Sequence, residues 1–186
     1  MVAATTRRAT YEDLLAVPDR YVAEILDGEL VTSPRPAPRH ADAAAGLLAE
    51  LRPPFGRRGG GDGGWLILFE PELHMADDVL VPDVAGWKRE RLPQLPDAAF
   101  FTLAPDWACE VLSPSTQAVD RTRKLPVYAR EGVTHVWLVD PLAETLEVFR
   151  LDGATYRLVQ TAAGDVTVRG EPFEAFELRL PALWGR

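Results

Sequence analysis

Turn-forming pairs set between apolar, strand-like runs constrain this chain more than any other feature, because each pair folds one run back on the next. Asp27-Gly28 separates YVAEIL from ELVTS, and Asp152-Gly153 separates LEVFRL from TYRLVQ. Asp-Gly is what a two-residue type I′ turn demands, since both central positions need positive φ. Asp77-Asp78 likewise divides WLILFEPELHMA from VLVPDVAGW, which predicts a further hairpin whose apolar runs are long enough for central strands. WACEVLS and THVWLVDP are two more apolar runs of strand length. Three stretches between these runs change to helical spacing. YEDLLAV follows Thr10, a capping residue, and stops at Pro18. ADAAAGLLAEL ends before Pro53-Pro54. QAVDRTRKLPVYAREG has Ser115 or Thr116 as its cap, Gly132 at its end and Pro126 inside, where a bend is expected. SPRPAPRH reads as a proline-rich loop. GRRGGGDGG reads as a flexible connector, because no Gly-Lys-Ser/Thr closes it into a phosphate-binding loop. Strands interspersed with helices predict an α/β (α+β) fold around a mixed sheet. A chain of 186 residues with 47% hydrophobic content buries one sizeable core, so a single domain over 1–186 is expected, with residues 1–9 and 52–64 flexible.

Composition narrows the function classes. No stretch approaches the roughly 18 consecutive apolar residues of a membrane span, and MVAATTRRAT lacks the apolar centre of a signal peptide. The lone Cys109 cannot form an internal disulfide, and no Cys/His cluster has zinc-ligand spacing, so a cytoplasmic protein without thiol chemistry is expected. The net charge of −8 argues against coating nucleic acid by bulk electrostatics, and any contact with DNA must be local. Positive charge does cluster, at Arg35 and Arg39, at Arg57 and Arg58, at Lys88, Arg89 and Arg91, and at Arg121, Arg123 and Lys124. The last group adjoins the acids described next and is the favoured one for phosphate.

Asp83 in VLVPDVAGW and Glu110 in WACEVLS each place one carboxylate within a run that otherwise reads as buried. Such a charge is costly unless it is paired or bound to a cation. By strand parity Glu110 shares its face with Ala108 and Leu112, which supply no counter-charge. A divalent ion between the two acids is one solution, and oxygen ligands favour Mg2+ or Mn2+. Asp120, Lys124 and Tyr128 stand four apart on the next helix and line one face, with the lysine in the middle. The plainer readings are an Asp83 paired with an arginine, a solvated Lys124 supported by Asp120, and a Tyr128 that only packs. His40, His74 and His135 read as structural, His135 having no acidic partner near it in the chain. Trp87, Trp107 and Trp137 sit in apolar runs and read as core.

AEILDGEL, the Ser-Pro-rich loop ending in His40, VPDVAGW, CEVLSPST, the stretch from Asp120 to Tyr128, and GVTHVWLVDP occur in an order that resembles the PD-(D/E)XK nuclease superfamily. Within it they are most similar to the bacterial restriction-endonuclease family called Uma-two, over roughly residues 10 to 160. The resemblance implies a restriction-endonuclease-like fold, a central mixed sheet flanked by helices, that hydrolyses phosphodiester bonds of DNA with a divalent metal. It implies Asp83, Glu110 and Lys124 as catalytic residues, with Asp83, Glu110 and the backbone carbonyl of Val111 as metal ligands. Glu24, His40 and Tyr128 are accessory candidates. Leu112 departs from the common pattern, which has lysine two residues after the second acid, and Lys124 on the following helix would take its place. Partners implied are DNA and a second copy of the chain, since a two-fold pair of sites suits cutting both strands. Two other readings stay open: a catalytically inactive nuclease-fold binding module, and a hydrolase of small phosphoesters, which suits the acidic surface.

Overall fold

A computed structural model describes residues 7–56 and 64–186. Of the segments expected to be flexible, 1–9 and 52–64, residues 1–6 and 57–63, with Arg57 and Arg58, lie outside the described residues, while 52–55 belong to the helix Pro38–Phe55. The chain opens with a short helix α1 (Tyr11–Leu15), followed by strands β1 (Tyr21–Leu26) and β2 (Glu29–Pro34) and helix α2 (Pro38–Phe55). Four strands follow: β3 (Trp65–Phe69), β4 (Leu73–Met75), β5 (Asp78–Leu80) and β6 (Val84–Lys88). β7 (Trp107–Val111) leads into a helical stretch over 117–130 and then β8 (His135–Asp140). The chain ends with β9 (Thr145–Asp152), β10 (Thr155–Ala163), β11 (Thr167–Val168), β12 (Leu178–Arg179) and a 3-10 turn at Leu180–Leu183. No helix among the described residues is long and apolar enough to cross a membrane.

Local chemistry accounts for the ends of these elements. Thr10 and Asp13 form a reciprocal capping box on α1. Asp27 and Gly28 take φ values of 55° and 81°, so the β1–β2 hairpin turns where the Asp-Gly pair predicts. α2 starts three residues earlier than the spacing suggests, because Pro38 occupies its first turn, where a missing N–H costs nothing. His40 therefore stands on a helix and not in a proline-rich loop. α2 also runs through Pro53 and Pro54 to Phe55, against the expected stop. Burial explains the extension: Leu51 is fully buried, and the Phe55 ring lies 4.8 Å from that of Phe173. Thr116, one of the two expected caps, takes the N-cap position of the 117–130 helix but makes no side-chain capping bond; its own N–H donates to Ser113 Oγ at 3.2 Å.

The central sheet has six strands in the order β10-β9-β8-β7-β6-β3, mixed because β7 and β8 run parallel while the other neighbours are antiparallel. A parallel pair needs a crossover, and the 117–130 helix supplies it. A second sheet, β2-β1-β5-β4, stands beside it. The two long apolar runs predicted as one hairpin are each broken in two. Pro71 and Pro82 lie in the breaks, where a residue without an N–H ends the ladder, so β3 and β6 stay in the large sheet while β4 and β5 pair in the small one. Asp83 consequently sits in a break just before β6 and not on a strand.

Alternation along β7 divides the core. Trp107, Cys109 and Val111 face α2 in one cluster with Leu47, Leu51, Trp137 and Phe173. Ala108 and Leu112 face the other way, into a cluster with Leu26, Leu80, Trp87, Val127 and Tyr128. Glu110 shares that second face. Trp87, Trp107 and Trp137 are core residues, as their apolar surroundings predict.

Candidate functional site

Glu110, in the centre of the large sheet, is 1% exposed and the parity of β7 turns it towards the crossover helix. Tyr128 donates its hydroxyl to Glu110 Oε1 at 2.5 Å, and Lys124 Nζ lies 3.2 Å from Oε2. The same ammonium is 3.0 Å from Glu24 Oε1 on β1 and 3.5 Å from Asp120 Oδ1 one turn back on its own helix. Lys124 thus points inward and holds carboxylates from three elements. Glu24 Oε1 also accepts the Val81 N–H at 2.8 Å, which ties β1 to the break before Asp83.

The crossover helix is not uniform. Gln117–Val119 and Leu125–Arg130 are α-helical, and Asp120–Lys124 between them is π-helical. The irregularity expected at Pro126 lies in the turn before it: Pro126 offers no N–H to the preceding turn, and Leu125 N–H bonds to the Asp120 carbonyl in the wider i to i+5 pattern. Asp120 and Lys124 are both buried on this segment, at 3% and 6% exposure.

Asp83 joins from the break before β6. Its Oδ2 accepts the Val111 N–H at 2.7 Å and lies 3.3 Å from His40 Nε2, and no arginine among the described residues is its partner. The His40 Nδ1 atom is buried without a hydrogen-bond partner among the described residues. Asp83, Glu110, Lys124, Glu24 and His40 all line one cavity of about 250 Å³, and Tyr128 borders it through Glu110. Asp120 and Glu70 line it as well, two acids that the sequence reading did not place in the site. Asp120 was visible as a neighbour of Lys124 at helical spacing. Glu70 had one signal, an acid beside a proline within an apolar run, the same context as Asp83.

The remaining candidates lie elsewhere. His74 Nε2 is 2.7 Å from Glu72 and its ring stacks on Phe100. His135 has an acidic partner after all, Glu171 at 3.3 Å, which is distant in sequence and brought in by the C-terminal segment. In the favoured basic group, Arg121 pairs with Glu147, and Arg123 bonds the Leu26 carbonyl and Glu29.

The cavity contains more acid than base. Burial pushes the Glu110 carboxyl well above its usual range; Lys124 opposes the rise, and Asp120, Asp83 and Glu24 add to it. Burial also raises Asp120, again against Lys124. Burial works against charge on Lys124, yet Glu110, Glu24 and Asp120 hold its pKa well above the ordinary lysine value. His40 is raised too, burial being outweighed by Asp83. Every shift favours extra positive charge in the cavity. Five carboxylates face one ammonium, one guanidinium (Arg35) and one imidazole, an oxygen-rich donor set suited to Mg2+ or Mn2+. No three His, Cys, Asp or Glu side chains among the described residues form a ready-made metal cage. Both Glu110 oxygens already have partners, so a cation ligated there would share or displace Lys124 or Tyr128.

A mixed sheet whose acids meet a helix-borne lysine across a parallel crossover defines a restriction-endonuclease-like α+β protein. Its fold is similar to that of a crystal structure from Anabaena variabilis described as a "putative nuclease belonging to DUF820", with a TM-score of 0.76 and 22% identity, covering 95% of this chain and 98% of that one. No curated protein matches the chain. The model of the Uma2 family, described as "Putative restriction endonuclease", matches residues 8–182, and the chain belongs to that family.

Proposed function

We propose that the protein is a metal-dependent DNA endonuclease, with Asp83, Glu110 and the Val111 backbone carbonyl holding Mg2+ or Mn2+. The observation that carries this reading is the convergence of Asp83, Glu110, Glu24 and Lys124 on one cavity whose excess of buried acid calls for a cation. When bound, such an ion polarises the phosphoryl oxygens and makes water a better nucleophile. Lys124 orients the attacking water and offsets negative charge that develops on the phosphorus oxygens. Tyr128 holds the Glu110 carboxylate in place through its short hydrogen bond, and Glu24 holds Lys124. His40, fixed against Asp83, stands where it can meet a phosphate oxygen or water at the cavity wall. Arg35 and the hydroxyls of Ser113, Ser115 and Thr116 line the same cavity and offer donors for the phosphates flanking the scissile bond. Contact with DNA is local, in keeping with the net charge of −8.

A second reading, hydrolysis of a small phosphoester, is favoured by the small volume of the cavity and the acidic chain. One set of assays separates the two. Purified protein should nick supercoiled plasmid in the presence of Mg2+ or Mn2+, and Asp83→Asn and Glu110→Gln should each lower the rate at least about a hundredfold. Intact plasmid alongside metal-dependent turnover of bis-p-nitrophenyl phosphate would favour the small substrate. Inertness towards both would overturn the enzyme reading and leave a binding module.

A further inference from the structure

Phosphate has few places to bind in a cavity that gathers five carboxylates, and most of the donors there are already committed. Lys124 holds Glu24, Glu110 and Asp120, and His40 is fixed against Asp83. Ser113 Oγ lies 3.0 Å from Ser115 Oγ and 2.9 Å from Thr116 Oγ1, so the three hydroxyls bond to one another. The basic group that the sequence favours for phosphate is committed as well: Arg121 pairs with Glu147, and Arg123 bonds the Leu26 carbonyl and Glu29. Lys88 stands at the far end of β6 from Asp83, roughly 17 Å along the strand.

Arg35 is different. It lines the cavity, is exposed where Glu24, Glu110 and Asp120 are buried, and has no carboxylate partner among the described residues. Its Nε–H donates to the Asp19 carbonyl at 2.9 Å, and Pro34 and Pro36 restrict the backbone on either side. One donor therefore holds the guanidinium in place, and the Nη hydrogens have no partner among the described residues. Burial, and then Asp83, raise the Glu70 carboxyl above its usual range while the charge of Arg35 opposes them, so Arg35 faces an acid of the cavity wall. No ion pair joins the two, and the tether to Asp19 keeps the fork open at the rim. An open, pre-oriented guanidinium fork matches the paired oxygens of a phosphate.

We propose that Arg35 is the residue that anchors the substrate, its guanidinium gripping a phosphate beside the scissile bond, and that Arg121 and Arg123 do not touch the nucleic acid. The inference rests on the reading of the cavity as the place where a DNA strand is cut. It gives the acidic chain one local point of attraction at the mouth of the cavity, on the loop between β2 and α2.

The test is binding of the intact protein to a short fluorescein-labelled DNA duplex, followed by fluorescence anisotropy over a range of salt concentrations, with Ca2+ in place of Mg2+ so that binding is read apart from cutting. Arg35→Gln should weaken binding about tenfold and lower the slope of log affinity against log salt by about one. Arg35→Lys keeps the charge but not the fork, and should keep the slope while recovering only part of the affinity. Arg121→Gln should bind within about twofold of the wild type, because its partner is Glu147. Unfolding temperatures of the same samples should agree, since a merely structural Arg35 would lower that temperature and leave the salt slope alone. Wild-type affinity and slope in Arg35→Gln, or an equal loss in Arg121→Gln, would overturn the assignment of Arg35 and leave the DNA reading standing. Absence of salt-dependent binding by the wild type would overturn both.

Discussion

Lys124 bears the charge balance of the cavity, its ammonium lying within 3.5 Å of Glu24, Glu110 and Asp120. It is buried and is the only ammonium among three carboxylates, so removing it leaves Glu24, Glu110 and Asp120 facing one another without compensation. Breaking a buried ion cluster in this way is strongly destabilising. Lys124→Met should therefore lower the unfolding free energy by about 3–5 kcal/mol in urea titration. Asp120→Asn removes one charge from the acid excess and should leave stability at or above that of the wild type. Equal and small effects of both substitutions would contradict the charge balance described here. The consequence for enzymology is direct: loss of cutting in a Lys124 variant must be read together with its stability, whereas Asp83→Asn leaves the lysine cluster untouched. Asp83, Glu110 and Lys124 were legible in the sequence, because an acid in an apolar run and a lysine at helical spacing are local patterns. Glu24 and Tyr128 were legible as accessory candidates, although the short Tyr128 hydrogen bond to Glu110 was not. Glu70 was less legible: its only signal was the acid-beside-proline context that it shares with Asp83, and its place on the cavity wall comes from the break between β3 and β4. The partnership of His135 with Glu171 was equally hidden, being a contact between segments far apart in the chain.

At the scale of elements, three irregularities build the site: the breaks at Pro71 and Pro82, and the π-helical segment before Pro126. The breaks let each apolar run serve two sheets and leave Glu70 and Asp83 at the junction. In the late hairpin the turn falls one residue further on than the Asp-Gly pair suggests, at Gly153-Ala154, with Asp152 paired to Thr155 in the ladder. The Asp27-Gly28 hairpin and the buried strands could be read directly from residue patterns. The breaks could not, because an apolar run with one proline has the same period on either side of it. Nor could the passage of α2 through two prolines, which depends on the burial of Phe55 against a C-terminal residue, Phe173. α2 is held on its other side by the 3-10 turn, where a Cβ at Gly46 would lie 2.5 Å from the Ala182 carbonyl oxygen. Helix propensity alone predicts that Gly46→Ala stabilises by up to about 1 kcal/mol. The close approach predicts the opposite, a loss of about 1–3 kcal/mol by chemical denaturation. A gain in stability would show that α2 and the C-terminal turn can separate at little cost, and would weaken the account of how His40 is positioned.

Across the whole molecule, the large sheet, the small sheet and the crossover helix each deliver part of one acidic cavity, and no single element holds the site. Glu110 comes from β7, Glu24 from β1, and Lys124 and Asp120 from the crossover. Asp83 and Glu70 come from the breaks between the sheets. On the proposed reading, this arrangement would let an acidic chain handle a phosphodiester: a cation bound by the gathered carboxylates would attract phosphate through that ion and not through the surface at large. The central claim is that Asp83 and Glu110 hold this cation. Anomalous diffraction from a crystal soaked in Mn2+ tests it most directly. The account predicts one strong anomalous peak in the cavity within coordination distance of both carboxylates, and its loss in Asp83→Asn. A fully occupied peak elsewhere on the protein, with the Asp83 and Glu110 carboxylates unchanged and still bonded only to Val111, His40, Lys124 and Tyr128, would contradict it.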